Sequence, residues 1–187
     1  MKLSVLLSTL LLFLNYQSGK TQSDALVDLE DLSNDFSFEV RYATSDNFIG
    51  EILYDCEKCL LRAEVAEAIL KANQYFFEKG FRIRIYDCYR PLDVQKKMWE
   101  KVPRATYVGN PYGNGSIHNR GAAIDLTLET LEGCHVEMGT DYDHFGRAAH
   151  IDNYGFSEEI LANRKLLLDG MRKFGFSPIR TEWWHFS

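Results

Sequence analysis

The chain of 187 residues has no surplus of positive charge. Its 21 Lys and Arg stand against 27 Asp and Glu, giving a formal net charge of -6. Phosphate backbones are bound by clustered Lys and Arg, so this balance argues against a nucleic-acid partner. A basic amphipathic helix suited to a membrane surface is also missing. The apolar run from Leu3 to Leu14, broken by Ser4, Ser8 and Thr9, has about 12 residues, too few for the ~20 that span a bilayer. No cysteine follows it closely, which argues against a lipid anchor. The Cys-x-x-Cys at Cys56 and Cys59 has no second copy and no thioredoxin-like strand before it, which weakens a structural zinc or redox reading. Internal repeats and low-complexity tracts are absent.

With 45% hydrophobic and 26% charged residues, the remainder reads as one ordinary globular domain with a proper core. Met1-Lys2 followed by the short apolar run and polar Gln17-Ser18-Gly19-Lys20 has the pattern of a secretory signal peptide. Residues 1–20 are assigned to it, with cleavage between Ser18 and Ser23, and residues 21–187 to the domain. The mature chain then has no membrane span and is exported, periplasmic or secreted. Export makes Cys56, Cys59, Cys88 and Cys134 disulfide candidates; four cysteines allow three pairings, and at least one structural disulfide is expected.

Along the domain, Asp24 to Asp35 is acidic and reads as surface chain. Phe38 to Tyr42 alternates as a first strand, closed by a loop over Ala43 to Gly50. From Leu60 to Lys79, apolar residues at intervals of three and four predict an amphipathic helix that Gly80 ends. Phe81 to Tyr86 alternates strictly, with its arginines outward. Pro91 opens a short helix over Leu92 to Lys101, and Pro103 to Gly115 is loop. Ala122 to Leu128 is a second alternating strand, with Asp125 and its small neighbours opposite Ile124, Leu126 and Leu128. A loop with a short strand near Val136 leads to a helix over Ser157 to Phe174, capped by Ser157 and stopped by Gly175. Pro178 to Phe186 closes the chain as a strand. This order predicts an α+β fold, a mostly antiparallel sheet flanked by helices.

The chemistry concentrates in Ser116-Ile117-His118-Asn119-Arg120-Gly121-Ala122-Ala123-Ile124-Asp125 and in Glu182-Trp183-Trp184-His185. Imidazole nitrogen and carboxylate oxygen suit zinc, and His118, Asp125 and His185 leave a fourth position for water. Glu182, three residues before His185, is then the general base. In a flat strand residues three apart face opposite sides, so the two share a site only if the strand ends, twists or bulges there.

These segments, with Tyr89-Arg90-Pro91, resemble the D-alanyl-D-alanine dipeptidases, zinc enzymes of the VanX type related in fold to D,D-carboxypeptidases and the hedgehog signalling domain. Val40-Arg41-Tyr42-Ala43-Thr44, Asn47-Phe48 and Met138-Gly139-Thr140-Asp141-Tyr142-Asp143 extend the resemblance from about Phe38 to the C-terminus and favour the dipeptidase branch. Cys88 and Cys134 depart from the family pattern. The resemblance implies one zinc per chain on His118, Asp125 and His185, Glu182 as base, and Arg90 as the oxyanion stabiliser. It implies Ser116 and Asp143 around the amino terminus of a small dipeptide substrate, with Tyr42 lining the same pocket. His135, His144 and His150 are left as surface or supporting residues. The expected reaction is hydrolysis of D-alanyl-D-alanine in peptidoglycan turnover. The alternatives are a D,D-carboxypeptidase acting on stem peptides and a non-catalytic zinc-stabilised binding module.

Overall fold

The computed structural model describes residues 25–187, so the expected signal peptide and its cleavage site lie outside the described residues. In chain order the elements are β1 (Leu26–Asp28), β2 (Ser37–Phe38), a 3₁₀ turn (Arg41–Ala43), β3 (Leu60–Arg62), α1 (Ala63–Phe77), β4 (Phe81–Asp87) and α2 (Leu92–Lys101). There follow a second 3₁₀ turn (Ile117–Arg120), β5 (Ile124–Thr130), a third 3₁₀ turn (Arg147–Ala149), α3 (Glu158–Lys173), β6 (Pro178–Ile179) and β7 (Glu182–Phe186). Five strands form one sheet in the order β2-β4-β5-β7-β6, antiparallel except for the β2–β4 pair, and β1 pairs with β3 separately. The expected α+β class holds. Among the described residues, no helix is long and apolar enough to cross a membrane.

Periodicity explains which elements form. On α1 the buried Ala66, Ile69, Ala72 and Phe76 lie at intervals of three and four and face β4. Its Asn73 accepts from the Ile83 backbone at 2.8 Å and donates to the Asp35 carbonyl, tying helix to sheet. Where α1 meets α3, Gly170 lies against Phe76; a Cβ there would stand 2.3 Å from the ring, so only glycine permits this approach. The Ser157 hydroxyl caps α3 by accepting from the Ile160 backbone, as its position before the acidic first turn predicts.

Several expectations are corrected. The strand over Phe38 to Tyr42 stops at Phe38, and the chain turns into a 3₁₀ helix that buries Tyr42. Leu60 to Arg62 belongs to a strand paired with β1, so the helix begins only at Ala63; three apolar-polar residues before a helical stripe carry no period of their own. The strand near Val136 is reduced to a single bridge, Glu129 to His135. The closing strand is a hairpin of β6 and β7. The arginines of β4 do not simply point outward: Arg82 and Arg84 both reach the buried Glu129 across the sheet. Those two guanidiniums outweigh burial and lower the Glu129 pKa.

A disulfide joins Cys59 and Cys88, linking the start of β3 to the end of β4, while Cys56 and Cys134 are exposed thiols. Its closed segment of 29 residues implies a loss of roughly 3–4 kcal/mol of unfolding free energy when the bond is removed. Urea unfolding of the Cys59→Ser, Cys88→Ser double variant beside the oxidised protein measures this, and coincident midpoints would contradict it.

Candidate active site

One rung of the sheet sets the site. In the strand register Asp87 on β4 pairs with Asp125 on β5, and Asp125 pairs with His185 on β7. The β4 register shifts between Ile85 and Asp87, a bulge that brings Asp87 onto this rung. All three side chains are buried.

His118 arrives from the preceding loop. Ser116 caps its 3₁₀ turn by accepting from the His118 backbone, and Asn119 returns a side-chain acceptor to the Ser116 backbone at 2.7 Å. Gly121 ends the turn at φ 63°, in the left-handed region that favours glycine. The His118 Nδ1 lies 2.7 Å from the Cys88 carbonyl oxygen, which only accepts. Nδ1 therefore carries the proton, and the Nε2 lone pair faces Asp125 and His185.

The three candidate donors are mutually close. His118 Nε2 is 3.2 Å from His185 Nδ1 and 3.3 Å from Asp125 Oδ1, and His185 Nδ1 is 2.9 Å from Asp125 Oδ1. Zinc bonds of about 2.0–2.1 Å place two tetrahedral ligands about 3.3 Å apart, so the cluster has the spacing of one face of such a site. Two nitrogens and one carboxylate oxygen also match zinc in hardness. Among the described residues, this is the group whose ligand atoms fall within 4.8 Å of one another. Burial opposes the Asp125 charge, but the two histidines outweigh it and hold the carboxyl well below its ordinary range. Burial likewise opposes a charged His118, and Asp125 outweighs it to raise that imidazole, whereas burial lowers His185.

Glu182 does reach the site. It is the first residue of β7, beside the register shift of the β6–β7 hairpin, and its Oε2 lies 4.0 Å from His185 Nδ1. The irregular pairing turns it to the side of His185, which a flat strand would forbid. Burial, then the Asp125 and Asp143 carboxylates, push its pKa well above the usual value, with Arg90 opposing.

Arg90 is buried and fixed. Its Nε and Nη2 donate to Asp87 Oδ2 at 3.0 and 2.6 Å, and its Nη1 donates to Gln95 Oε1 at 3.0 Å. Tyr54 donates to the other Asp87 oxygen at 2.6 Å. Arg90 is thus ion-paired with Asp87 and also stands on the cavity wall. Burial disfavours its charge, yet Asp87 and the neighbouring tyrosines raise its pKa.

Two segments about a hundred residues apart close the site. Arg41 pairs with Asp141 through two contacts of 3.2 Å, the Tyr42 ring packs on Tyr142, and Tyr42 donates to Asp143 Oδ2 at 2.7 Å. Asp141 and Asp143 are therefore distinct in role: Asp141 is exposed and bound to Arg41, while Asp143 lines the cavity. Among the described residues, Asp143 alone of the non-glycines has positive φ, at 57°. Aspartate enters that region more readily than most residues with a Cβ. Burial, opposed by the Tyr42 hydroxyl, raises the Asp143 pKa to about 7.

These groups surround one cavity of ≈ 340 Å³, lined by Tyr42, Arg90, Ser116, His118, Asp125, Asp143, Glu182 and His185 among others. That volume is at the small end of ligand pockets, which run ~300–1,000 Å³. All eight expected site residues therefore share it. His135 and His150 bind arginines elsewhere, and His144 is exposed. Sequence reading did not single out Tyr142, which donates to Asp125 Oδ2 at 2.9 Å, or Gln95, which holds Arg90. Tyr142 was signalled by its place between Asp141 and Asp143; Gln95, inside a polar helix, had no signal.

Residues 22–187 match the peptidase M15 family, described as D-Ala-D-Ala dipeptidase. The D-alanyl-D-alanine dipeptidase of Escherichia coli (strain K12) is 36% identical over 161 residues, covering 86% of this chain and 83% of that protein. The D-alanyl-D-alanine dipeptidase of Enterococcus faecium is 29% identical over 178 residues, covering 84% and 88%. Among solved structures, the vancomycin resistance D,D-pentapeptidase VanY in complex with Zn(II) aligns with 71% of this chain and 74% of its own at TM-score 0.47 and 13% identity. With its donor cluster and cavity in place and a family match over nearly its whole length, the chain belongs to the peptidase M15 family of D-Ala-D-Ala dipeptidases.

Proposed function

We propose that the protein hydrolyses D-alanyl-D-alanine to free D-alanine, with one zinc per chain held by His118, Asp125 and His185. The observation that carries this reading is the convergence of the donor cluster, a carboxylate base, a fixed guanidinium and a second carboxylate on one small cavity. When bound, the zinc supplies polarisation of the scissile carbonyl and a water that ionises near neutral pH. Glu182 takes the proton of the attacking water and passes it to the leaving amine, a task suited to a carboxyl whose pKa is raised well above its ordinary value by burial and the neighbouring carboxylates. Arg90 stabilises the developing oxyanion: three of its five N–H donors are occupied by Asp87 and Gln95, which fix its plane, and two remain. Ser116 and Asp143 hold the substrate's amino terminus, and Tyr42 orients Asp143.

The assay is purified protein with D-Ala-D-Ala, before and after a chelator, and after zinc is restored. Free D-alanine is released, the chelator abolishes the release, and zinc recovers it. No release in the presence of zinc refutes the reading, and faster cleavage of an N-acylated tripeptide would decide for a carboxypeptidase.

Asp143 sets a pH dependence. Below about pH 7 its carboxyl keeps the proton and cannot pair with an ammonium, so KM falls as pH rises through about 7. KM rises again above about pH 8, where the substrate amine itself deprotonates. Asp143→Asn removes the first of these limbs and raises KM about 10- to 100-fold at pH 7.5, the worth of a charged hydrogen bond. An unchanged KM profile in that variant would contradict the assignment.

Export to a periplasm or to the medium, where the dipeptide arises from peptidoglycan turnover, is part of the same proposal. The leader pattern of residues 1–20 supports it, as does the Cys59–Cys88 disulfide, a bond rare in reducing compartments.

A further inference from the structure

Two cavities meet at Phe48 and Asp143. The active-site cavity and a neighbouring one of ≈ 230 Å³ are both lined by these side chains. Beyond them the second cavity is polar, bounded by Arg41, Asp46, Asn47 and Asp141. Asp143 is held in the partition by the Tyr42 hydroxyl. The Phe48 ring is held by edge contacts with Tyr42 at 6.2 Å and Phe145 at 5.0 Å between centroids. Phe145 in turn stacks at 4.8 Å on Tyr107, which lines the active-site cavity from another loop. Aromatic rings from three loops thus hold one thin wall, and the wall stands beside the carboxylate assigned to the substrate's amino terminus.

We propose that Phe48 is the specificity-determining residue that limits substrates to dipeptides. This rests on the dipeptidase reading and deepens it. With a dipeptide ammonium at Asp143, one more residue at the amino terminus must pass Asp143, and the Phe48 ring fills that way. Without the ring the two cavities join. The joined space suits a tripeptide with a free amino terminus that ends in D-Ala-D-Ala, because Asp46 and Asp141 share one cation, Arg41, and the excess of carboxylate over guanidinium beyond the wall favours an ammonium. The bond cleaved stays the same, and the added water gives terminal D-alanine and a shortened dipeptide.

The experiment compares kcat/KM for D-Ala-D-Ala and for Gly-D-Ala-D-Ala in wild type, Phe48→Ala and Phe48→Leu. The tripeptide-to-dipeptide ratio rises about tenfold or more in Phe48→Ala and less in Phe48→Leu, the scale on which pocket size discriminates substrates. A ratio within one preparation does not depend on the fraction of folded enzyme, and Phe48→Leu alone carries the test if the alanine variant fails to fold. An unchanged ratio overturns the proposal, as does a wild type that cleaves the tripeptide as well as the dipeptide. Wild type that cleaves neither overturns the dipeptidase reading itself, an outcome separate from these.

Discussion

Glu182→Gln abolishes most of the turnover, lowering kcat for D-Ala-D-Ala by about a thousandfold within the 10²–10⁴ range of general acid–base catalysis, while zinc content is unchanged. Glutamine has the same shape and can still hydrogen-bond, but it cannot accept the water's proton. The three candidate ligands are His118, Asp125 and His185, so the variant leaves the donor cluster whole. Stability moves the other way. Burial and the Asp125 and Asp143 charges raise the Glu182 pKa, so its ionisation opposes folding at any pH above its ordinary value. Removing that charge leaves the metal-free protein at least as stable at pH 8 as wild type. Zinc content, kcat and thermal midpoint together give the check. Full activity in Glu182→Gln would mean that Glu182 is not the general base.

Arg90→Lys lowers kcat by about 10²–10³-fold with a small change in KM, because an oxyanion donor acts in the transition state rather than on bound substrate. Lysine keeps the charge and loses the planar fork that donates through Nε and Nη2 to one Asp87 oxygen and through Nη1 to Gln95. Alanine is the less informative variant. It would strand Asp87, which is fully buried with Tyr54 as its other side-chain donor, at a cost of about 3–5 kcal/mol. A purely structural Arg90 predicts a different pattern, in which Arg90→Lys lowers the unfolding midpoint and leaves kcat per folded molecule intact. Steady-state kinetics beside urea unfolding separates the two.

Where one segment's own pattern decides its structure, the sequence was sufficient. β4 forms where Phe81 to Tyr86 alternates, and α2 follows Pro91 over Leu92–Lys101. α3 begins after Ser157 and gives way to Gly175 at φ 93°. What could not be read depends on partners far along the chain. β3 is a strand because β1 lies beside it, and Val40 to Ala43 leaves its alternation to bury Tyr42 against Tyr142 and Asp143. For the site, residue types and spacing indicated His118, Asp125 and His185, and family resemblance supplied Arg90, Ser116, Asp143 and Tyr42. Neither could reveal that Gln95 holds Arg90, or that the hairpin irregularity brings Glu182 round to His185. Such facts live in strand register and side-chain packing, not in local propensity.

The rung that carries Asp87, Asp125 and His185 also bears on how the chain reaches its native sheet. If β5 slipped by one residue, the backbone ladder would persist, but Asp125 would turn to the opposite face and an apolar neighbour would stand beside His185. A divalent cation bound by these donors would recognise the native register and gain nothing from the slipped one. At a thousandfold excess over its dissociation constant, it would add about 4 kcal/mol to the correct alignment alone. The same donors that would serve the reaction would then proofread the pairing of the strands that present them.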